Sequence, residues 1–418
     1  MTLAARAHRH SLPSPFASVN IRSRAQQRLH VVLVAPPYFD VPPKAYGGVE
    51  AVVADLADGL VSRGHQVTLL GAGDPGTSAS FVPLWDGTLA DRLGEPFPEI
   101  AHAVKVRRAI EKLAADGDVD LVHDHTFAGP LNAPAYSTLG LPTVITVHGP
   151  VDEDLYTYYR DLGSDVHLVA ISDRQRTLAP DLHWAGRVHN AVQPSDWPFR
   201  AEKGDYALFL GRFAPYKAPH LALDAAHEAG IPLVLAGKCS EPPERAYFEK
   251  EIRPRLTKND HVFGVADATE KRKLLASARC LLFPVQWEEP FGMVMIEAMV
   301  CGTPVVALRG GAVPEVVAHG VTGLICDHPD QLPDALREVR GIDPMACRRH
   351  VEQHFTVDHL AEGYEIIYRK VLATSTATAF ARPQLETPAR SAAFDAQDNP
   401  SFTSSISKTA FDTRGSSP

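Results

Sequence analysis

Two glutamates with seven residues between them, Glu289-Pro290-Phe291-Gly292-Met293-Val294-Met295-Ile296-Glu297, form the most chemically suggestive pattern in this chain. The stretch follows an apolar run at 280–283 and opens a helical pattern. Glycine at 292 allows close backbone approach at the turn. The first N–H groups of a helix lack internal partners, and the helix dipole is positive there. Phe291, Gly292 and Met293 would therefore offer amides to an anion, most simply a pyrophosphate. Glu289 before the helix and Glu297 inside it could each accept hydrogen bonds from two sugar hydroxyls. Singly, they read as an acidic cap and an exposed helical residue; the pair around Pro-Phe-Gly is the more specific signal.

A second group is Gly211-Arg212-Phe213-Ala214-Pro215-Tyr216-Lys217, just after an apolar run at 206–210. Arg212 offers a planar fork and Lys217 a mobile point charge, a combination suited to phosphate. The plainer alternative is a solvated loop with two surface cations. A third is Tyr46-Gly47-Gly48-Val49-Glu50, where paired glycines bring backbone close to a ligand at a helix start. Glu50 there reads as a favourable first-turn charge. His148 ends the run 143–147 and could donate to a sugar or to developing charge.

The elements that must position these groups are legible as alternating strand and helix patterns. Strands are expected at 30–35, 67–70, 120–123, 143–147 and 167–171, then at 206–210, 233–236, 261–263, 280–283, 304–307 and 324–326. Their nearly continuous apolar character suits strands covered on both faces. In the first half, Val49, Val52, Leu56 and Leu60 recur at helical spacing. In the second, helices fit at about 218–228, 244–255, 268–278, 292–300, 330–340 and 345–352. The alternation predicts two doubly wound α/β domains, Rossmann-like, facing across a cleft. The first spans 29–195 and the second 196–355, with a further helix at 356–372. Residues 1–28 are expected to be a disordered arm, a transit peptide being the alternative, and 373–418 a disordered tail.

Composition excludes other classes. The 41 basic and 50 acidic residues leave a net charge of −9, against nucleic-acid binding. Five cysteines without a CxxC pair suit a reducing compartment, and no apolar run is long enough to span a bilayer, so a cytoplasmic location is expected. The GxGxxG match at 71–76 is followed by no helical pattern and reads as a loop. Asp118-Val119-Asp120 reads as a loop-to-strand boundary. His123 and His125 could share a face, but a further metal ligand is not evident; His350 and His354 lack the HExxH glutamate. A helix at 101–115 carrying Lys105, Arg107, Arg108 and Lys112 reads as a surface helix, weak peripheral contact with the inner membrane face being the alternative.

Together these motifs resemble the retaining glycosyltransferases of the two-Rossmann, or GT-B, architecture, often called family 4 or group 1. The resemblance covers 29–372 and rests on GGVEAVV with RGHQVTLL, TVHG, GRFAPYK, EEPFGMVMIEAMVCGTPVVA and GGAVPEVVAHGVTGLIC, in that order. It implies that a nucleotide-sugar, UDP- or GDP-linked, donates a hexosyl unit to a sugar, lipid-linked or small-molecule acceptor, with retention and with neither metal nor cofactor. Arg212, Lys217, Gly48 and Met293 would hold the donor diphosphate. Glu289, Phe291 and Gly292 would hold the donor sugar, and Glu297 the ribose. His148 would lie near the donor sugar, with Glu289 as its catalytic companion, and Tyr46 and Gly47 would form the acceptor-side loop. The helix at 356–372 would cross back to the first domain. Ala191 stands where the family's Asn-Gly-Val turn has glycine. A nucleotide-sugar epimerase or hydrolase of the same architecture, and a non-catalytic nucleotide-sugar-binding protein, are the alternatives.

Overall fold

The computed structural model describes residues 28–381, with side chains through 375; the expectation of a disordered arm and most of that for the tail lie outside the described residues. Two parallel sheets organise the chain. The first contains β1 (His30–Val34), β2 (Gln66–Gly71), β3 (Ser80–Pro83), β4 (Leu121–Asp124), β5 (Thr143–Val147), β6 (Val166–Ala170) and β7 (Trp184–Arg187), in the order β3-β2-β1-β4-β5-β6-β7. The second contains β8 (Ala207–Leu210), β9 (Leu233–Ala236), β10 (His261–Gly264), β11 (Cys280–Phe283), β12 (Val305–Leu308) and β13 (Gly323–Cys326), in the order β10-β9-β8-β11-β12-β13.

Each sheet reverses direction once, between β1 and β4 and between β8 and β11. Ligands of open α/β sheets sit beyond the carboxyl ends of the strands at such a reversal. The glycine pair follows β1, the Arg212–Lys217 loop follows β8, and the Glu289–Met293 turn follows β11. Topology thus brings three of the four motifs to the reversal points, and His148 follows the neighbouring β5.

Central strands are buried along most of their length: Val31, Val32, Leu33 and Val34 of β1 have no exposed surface. Truncating one such side chain, Leu33→Ala, would cost about 2–5 kcal/mol. Two strands were not anticipated, β3 and β7. Both are the outermost strands of the first sheet, with intermediate or exposed residues, so neither shows a continuous apolar run. β3 follows the 71–76 glycine-rich loop.

Helix boundaries shift where proline intrudes. The helix expected at 244–255 is the α-helix Pro242–Tyr247, a π turn Phe248–Ile252 and a 3-10 turn Arg253–Arg255. The last helix, expected at 356–372, runs over Val357–Ala381, nine residues into the stretch expected to be tail. Thr374 Oγ1 and Ser375 Oγ donate to the carbonyls of Lys370 and Val371, both at 3.0 Å. This back-bonding lets hydroxyl residues continue a helix they would otherwise weaken. Its apolar face, with Leu360, Tyr364, Ile367, Tyr368 and Val371, belongs to the core of the first sheet. It lies so close to the helix Gly48–Ser62 that a Cβ on Gly59 would stand 2.9 Å from Ala361 Cβ.

Candidate active site

On the second-sheet side, Arg212 and Lys217 leave β8 on one loop and meet carboxylates from elsewhere in the fold. Arg212 Nε donates to Glu244 Oε1 at 2.7 Å, and its Nη2 pairs with Glu241 Oε1 at 2.8 Å. Glu244 is buried, and its other oxygen accepts the N–H groups of Ser240 at 2.9 Å and Glu241 at 3.0 Å. Burial alone would raise its carboxyl pKa; the hydrogen bonds from Glu241 N–H and Arg212 hold it low. One edge of the guanidinium is thus anchored on a fixed carboxylate. Its Nη2 meets Glu241, a half-exposed residue shared with Lys238 at 2.9 Å.

Lys217 Nζ donates to Glu289 Oε2, which also accepts from Trp287 Nε1 at 2.9 Å. Nζ lies 4.9 Å from the Trp287 ring centroid. The next residue, Ala218, has φ 52° and is the only non-glycine with positive φ among the described residues. Such a conformation costs roughly 1–2 kcal/mol for a residue with a Cβ. It persists because Ala218 is fully buried where the Lys217 loop turns into the helix Pro219–Ala229.

The Glu289 turn runs into the helix Met293–Val300, which has no side-chain cap at its N-terminus. Gly292 sits at φ 82°, and a Cβ there would stand 2.7 Å from Met295 Cε. Glu289 and Glu297 are both buried, at 9% and 8% exposure, so neither is the surface carboxylate of the plainer alternative. Glu297 Oε1 accepts from Lys271 Nζ at 2.8 Å. Met293 packs against the cores of both sheets and so lies where they meet.

On the first-sheet side, Gly47 caps the helix Gly48–Ser62 without a side-chain hydrogen bond, and the space above Gly48 is open. Tyr46 reaches across, its ring centroid 5.9 Å from Lys238 Nζ. His148 is half-buried, and its Nε2 is 2.9 Å from His125 Nδ1. Burial lowers its pKa to about 4, so the ring is neutral at physiological pH. Gln175 Nε2 donates to Val147 O at 3.0 Å and Gly149 O at 2.8 Å, gripping the chain on either side of His148.

The same short helix, Asp173–Leu178, joins the two sides. Glu315 of the second domain accepts the N–H groups of Asp173 and Arg174, both at 2.7 Å, and lies 3.1 Å from His189 Nε2. Arg174 makes a two-pronged pair with Glu288, the neighbour of Glu289, at 2.7 and 2.8 Å. The helix that holds the His148 backbone is therefore tied to the strand end that carries Glu289.

Sequence reasoning missed Gln175, Arg174, Glu244 and Glu315 as site-building residues. Glu315 alone had a signal, in the GGAVPEVV stretch. Glu50 lies in the first turn of its helix as expected, but it is 4% exposed, and burial raises its pKa to about 7. Asp55, on the same helix, is raised by burial to about 7 as well. The His123 ring is spent on Tyr368 Oη and Thr146 Oγ1, both at 2.7 Å. Ala191 is buried with φ outside the left-handed region, so its turn does not require glycine.

Comparison with known families decides the class. Residues 46–184 match the family described as Glycosyltransferase Family 4, and residues 196–342 match Glycosyl transferases group 1. The chain belongs to the family 4, group 1 glycosyltransferases. This glycosyltransferase is 28% identical over 346 residues to the phosphatidyl-myo-inositol mannosyltransferase of Mycobacterium tuberculosis (strain ATCC 25618 / H37Rv), covering 74% of the chain and 86% of the relative. Among solved structures it is similar to AviGT4, a glycosyltransferase involved in avilamycin A biosynthesis, at 29% identity and a TM-score of 0.64, over 82% of this chain and 98% of the other. Anabaena Alr3699/HepE in complex with UDP and glucose shares the fold, at 17% identity and a TM-score of 0.62, over 81% of this chain and 98% of the other. The two parallel-sheet domains of this glycosyltransferase are of the GT-B type. None of its described helices is long and apolar enough to cross a membrane.

Proposed function

We propose that this glycosyltransferase moves a hexosyl unit from a UDP- or GDP-sugar to an acceptor hydroxyl with retention of anomeric configuration. The observation that carries the proposal is the convergence of Arg212, Lys217 and the uncapped start of the Met293–Val300 helix with the buried Glu289. In this reading the donor diphosphate displaces Glu241 from Arg212 and Glu289 from Lys217. Glu289 is then released toward the hydroxyls of the donor sugar, and Glu297 toward the ribose. The Met293 amide end and the open space above Gly48 complete the diphosphate cradle from both domains. Tyr46 and Gly47 face the acceptor.

Chemistry follows from charge. When the anomeric carbon–oxygen bond breaks, its electron pair passes to the leaving phosphate oxygen. Arg212, Lys217 and the helix start stabilise that charge as fixed dipoles and cations, with no metal or cofactor called upon. The acceptor oxygen attacks the same face of the sugar, and its proton goes to the departing phosphate. His148, neutral at physiological pH, donates a hydrogen bond on the sugar side. The mannosyltransferase relative supports a hexosyl donor and leaves lipid-linked, sugar and small-molecule acceptors as the classes to screen.

The direct test is thermal stabilisation by UDP, GDP, ADP and NAD, side by side. A ligand at 100 times its dissociation constant adds about 2.7 kcal/mol, a visible shift. Stabilisation by UDP or GDP that vanishes in Arg212→Ala is expected. A response to NAD alone, or to none of the four, would overturn the proposal; release of free sugar from the donor at transferase-like rates without any acceptor would mark a hydrolase instead.

A further inference from the structure

Beneath His148 lies a chain of buried polar rings that neither the diphosphate cradle nor the Glu289 turn uses. His148 Nε2 meets His125 Nδ1 at 2.9 Å. The His125 ring packs against that of His123, with centroids 4.1 Å apart and planes tilted by 42°. His123 in turn bonds Tyr368 and Thr146, and Thr146 Oγ1 meets Tyr364 Oη at 2.6 Å. Tyr364 and Tyr368 belong to the last helix, so three separate parts of the chain, β4, β5 and that helix, converge on one buried cluster. Among the described residues its histidines have no negative partner, and burial keeps all three neutral.

A neutral histidine carries one ring proton, and its hydrogen bonds decide which nitrogen holds it. His125 Nε2 is buried and meets no hydrogen-bond partner among the described residues. An N–H stranded at such a place is rarely tolerated. The proton of His125 therefore belongs on Nδ1, which donates to His148 Nε2. His148 must then accept at Nε2 and carry its own proton on Nδ1. Among the described residues that nitrogen has no hydrogen-bond partner, and it is not one of the enclosed unpartnered atoms. Gln175, gripping the carbonyls of Val147 and Gly149, prevents the ring from being re-aimed by a backbone shift.

We infer that His125 is a positioning residue that fixes His148 as the Nδ1–H tautomer, so that His148 presents a hydrogen-bond donor, and never an acceptor, to the sugar side of the cleft. The consequence for substrate chemistry is specific: His148 addresses an oxygen lone pair of the donor sugar and cannot act there as a base on the acceptor hydroxyl. The value of this donor for transfer rests on the proposed function; the tautomer itself does not.

The experiment uses the full chain labelled with 15N-histidine, with the His148 resonances assigned by their loss in His148→Gln. Two-bond nitrogen–proton correlation spectra then read the protonated nitrogen. Protonation at Nδ1 of His148 in the unaltered protein is expected, and protonation at Nε2 would overturn the inference whatever the His125 variants show. His125→Asn places an amide donor where Nδ1 stood and is expected to keep the Nδ1–H pattern. His125→Ala and His125→Gln are expected to let His148 mix tautomers. Turnover of UDP-glucose or GDP-mannose, whichever is used, should fall about tenfold or more in the Ala and Gln variants, the scale on which an orienting partner acts. Recovery in Asn is expected, and equal loss in Asn and Ala would reduce His125 to a packing residue. Undiminished turnover in His148→Ala together with an Nδ1–H tautomer would spare this inference and refute the proposed role of His148.

Discussion

The two walls of the cleft are built on opposite electrostatic plans. The second-domain wall is fully charged and internally neutralised: Arg212 on Glu241 and Glu244, Lys217 on Glu289, Lys271 on Glu297. The first-domain wall carries little charge: burial keeps His123, His125 and His148 neutral, and it pushes the Glu50 and Asp55 pKa values up to about 7, so that these carboxyls are only partly ionised near neutral pH. A wall of paired ions suits a ligand of fixed charge, because an incoming diphosphate exchanges partners without leaving any charge bare. A neutral wall suits hydroxyl-bearing ligands, whose hydrogen bonds would be outcompeted by ions.

The largest expected effect tests the charged wall. Arg212→Ala and Lys217→Ala should each lower turnover by about 10²–10³, the scale of removing one donor from a developing oxyanion, while melting remains cooperative. Unchanged turnover in both would refute the assignment of this wall to the diphosphate. Glu244→Gln comes next. It keeps the acceptor for Ser240 and Glu241 N–H but removes the charge anchoring Arg212. Initial-rate kinetics should show a donor KM raised by roughly tenfold, about one charge-assisted hydrogen bond, with a smaller change in kcat. A fall confined to kcat would mean that Arg212 is not prepositioned by Glu244.

The neutral wall has its own test. Glu50 is raised from 4.5 to about 7, so the folded state holds a proton that the unfolded chain releases in between. Stability linked to Glu50 is therefore full below pH 4.5 and is lost as pH rises through about 7. Glu50→Gln should remove that decline, and its melting temperature should exceed that of the unaltered protein at pH 8 by a few degrees. Parallel melting profiles of the two proteins across this range would show that Glu50 is not protonated in the folded state. The smallest effect concerns the seam between the walls. Arg174→Ala removes a pair in which both side chains are more than two-fifths exposed and should cost less than about 1 kcal/mol, with a still smaller difference in high salt. A larger loss in thermal melts would make this pair a principal domain tie.

The charged wall was far more legible in the sequence than the neutral one, and for a physical reason. Arg212, Lys217, Glu289 and Glu297 occur in short loops after apolar strands, so local pattern and topology suffice to gather them. Glu244, by contrast, stands 32 residues from Arg212, and only the packing of its helix brings the two together. His125 looked like half of an incomplete metal site, because its meaning lies in a ring from another strand and two tyrosines from the far end of the chain. Glu50 was legible as a helix-start charge, but nothing local reveals that it is covered. The fold itself was clearer. Strands covered on both faces declare themselves as apolar runs, whereas the edge strands β3 and β7 do not, and the last helix outran its apolar pattern by using hydroxyl back-bonding.

The last helix also sets an order of assembly. Residues 357–371 complete the core of a domain whose other parts have left the ribosome some 170 residues earlier, the last of them β7. Until that segment emerges, the groove along Val52, Leu56, Ala57 and Leu60 and the polar atoms of His123 and Thr146 lack their cover. The first domain to be made is thus the last to be finished, and a ribosome that stalls within the second domain leaves the first with an open flank.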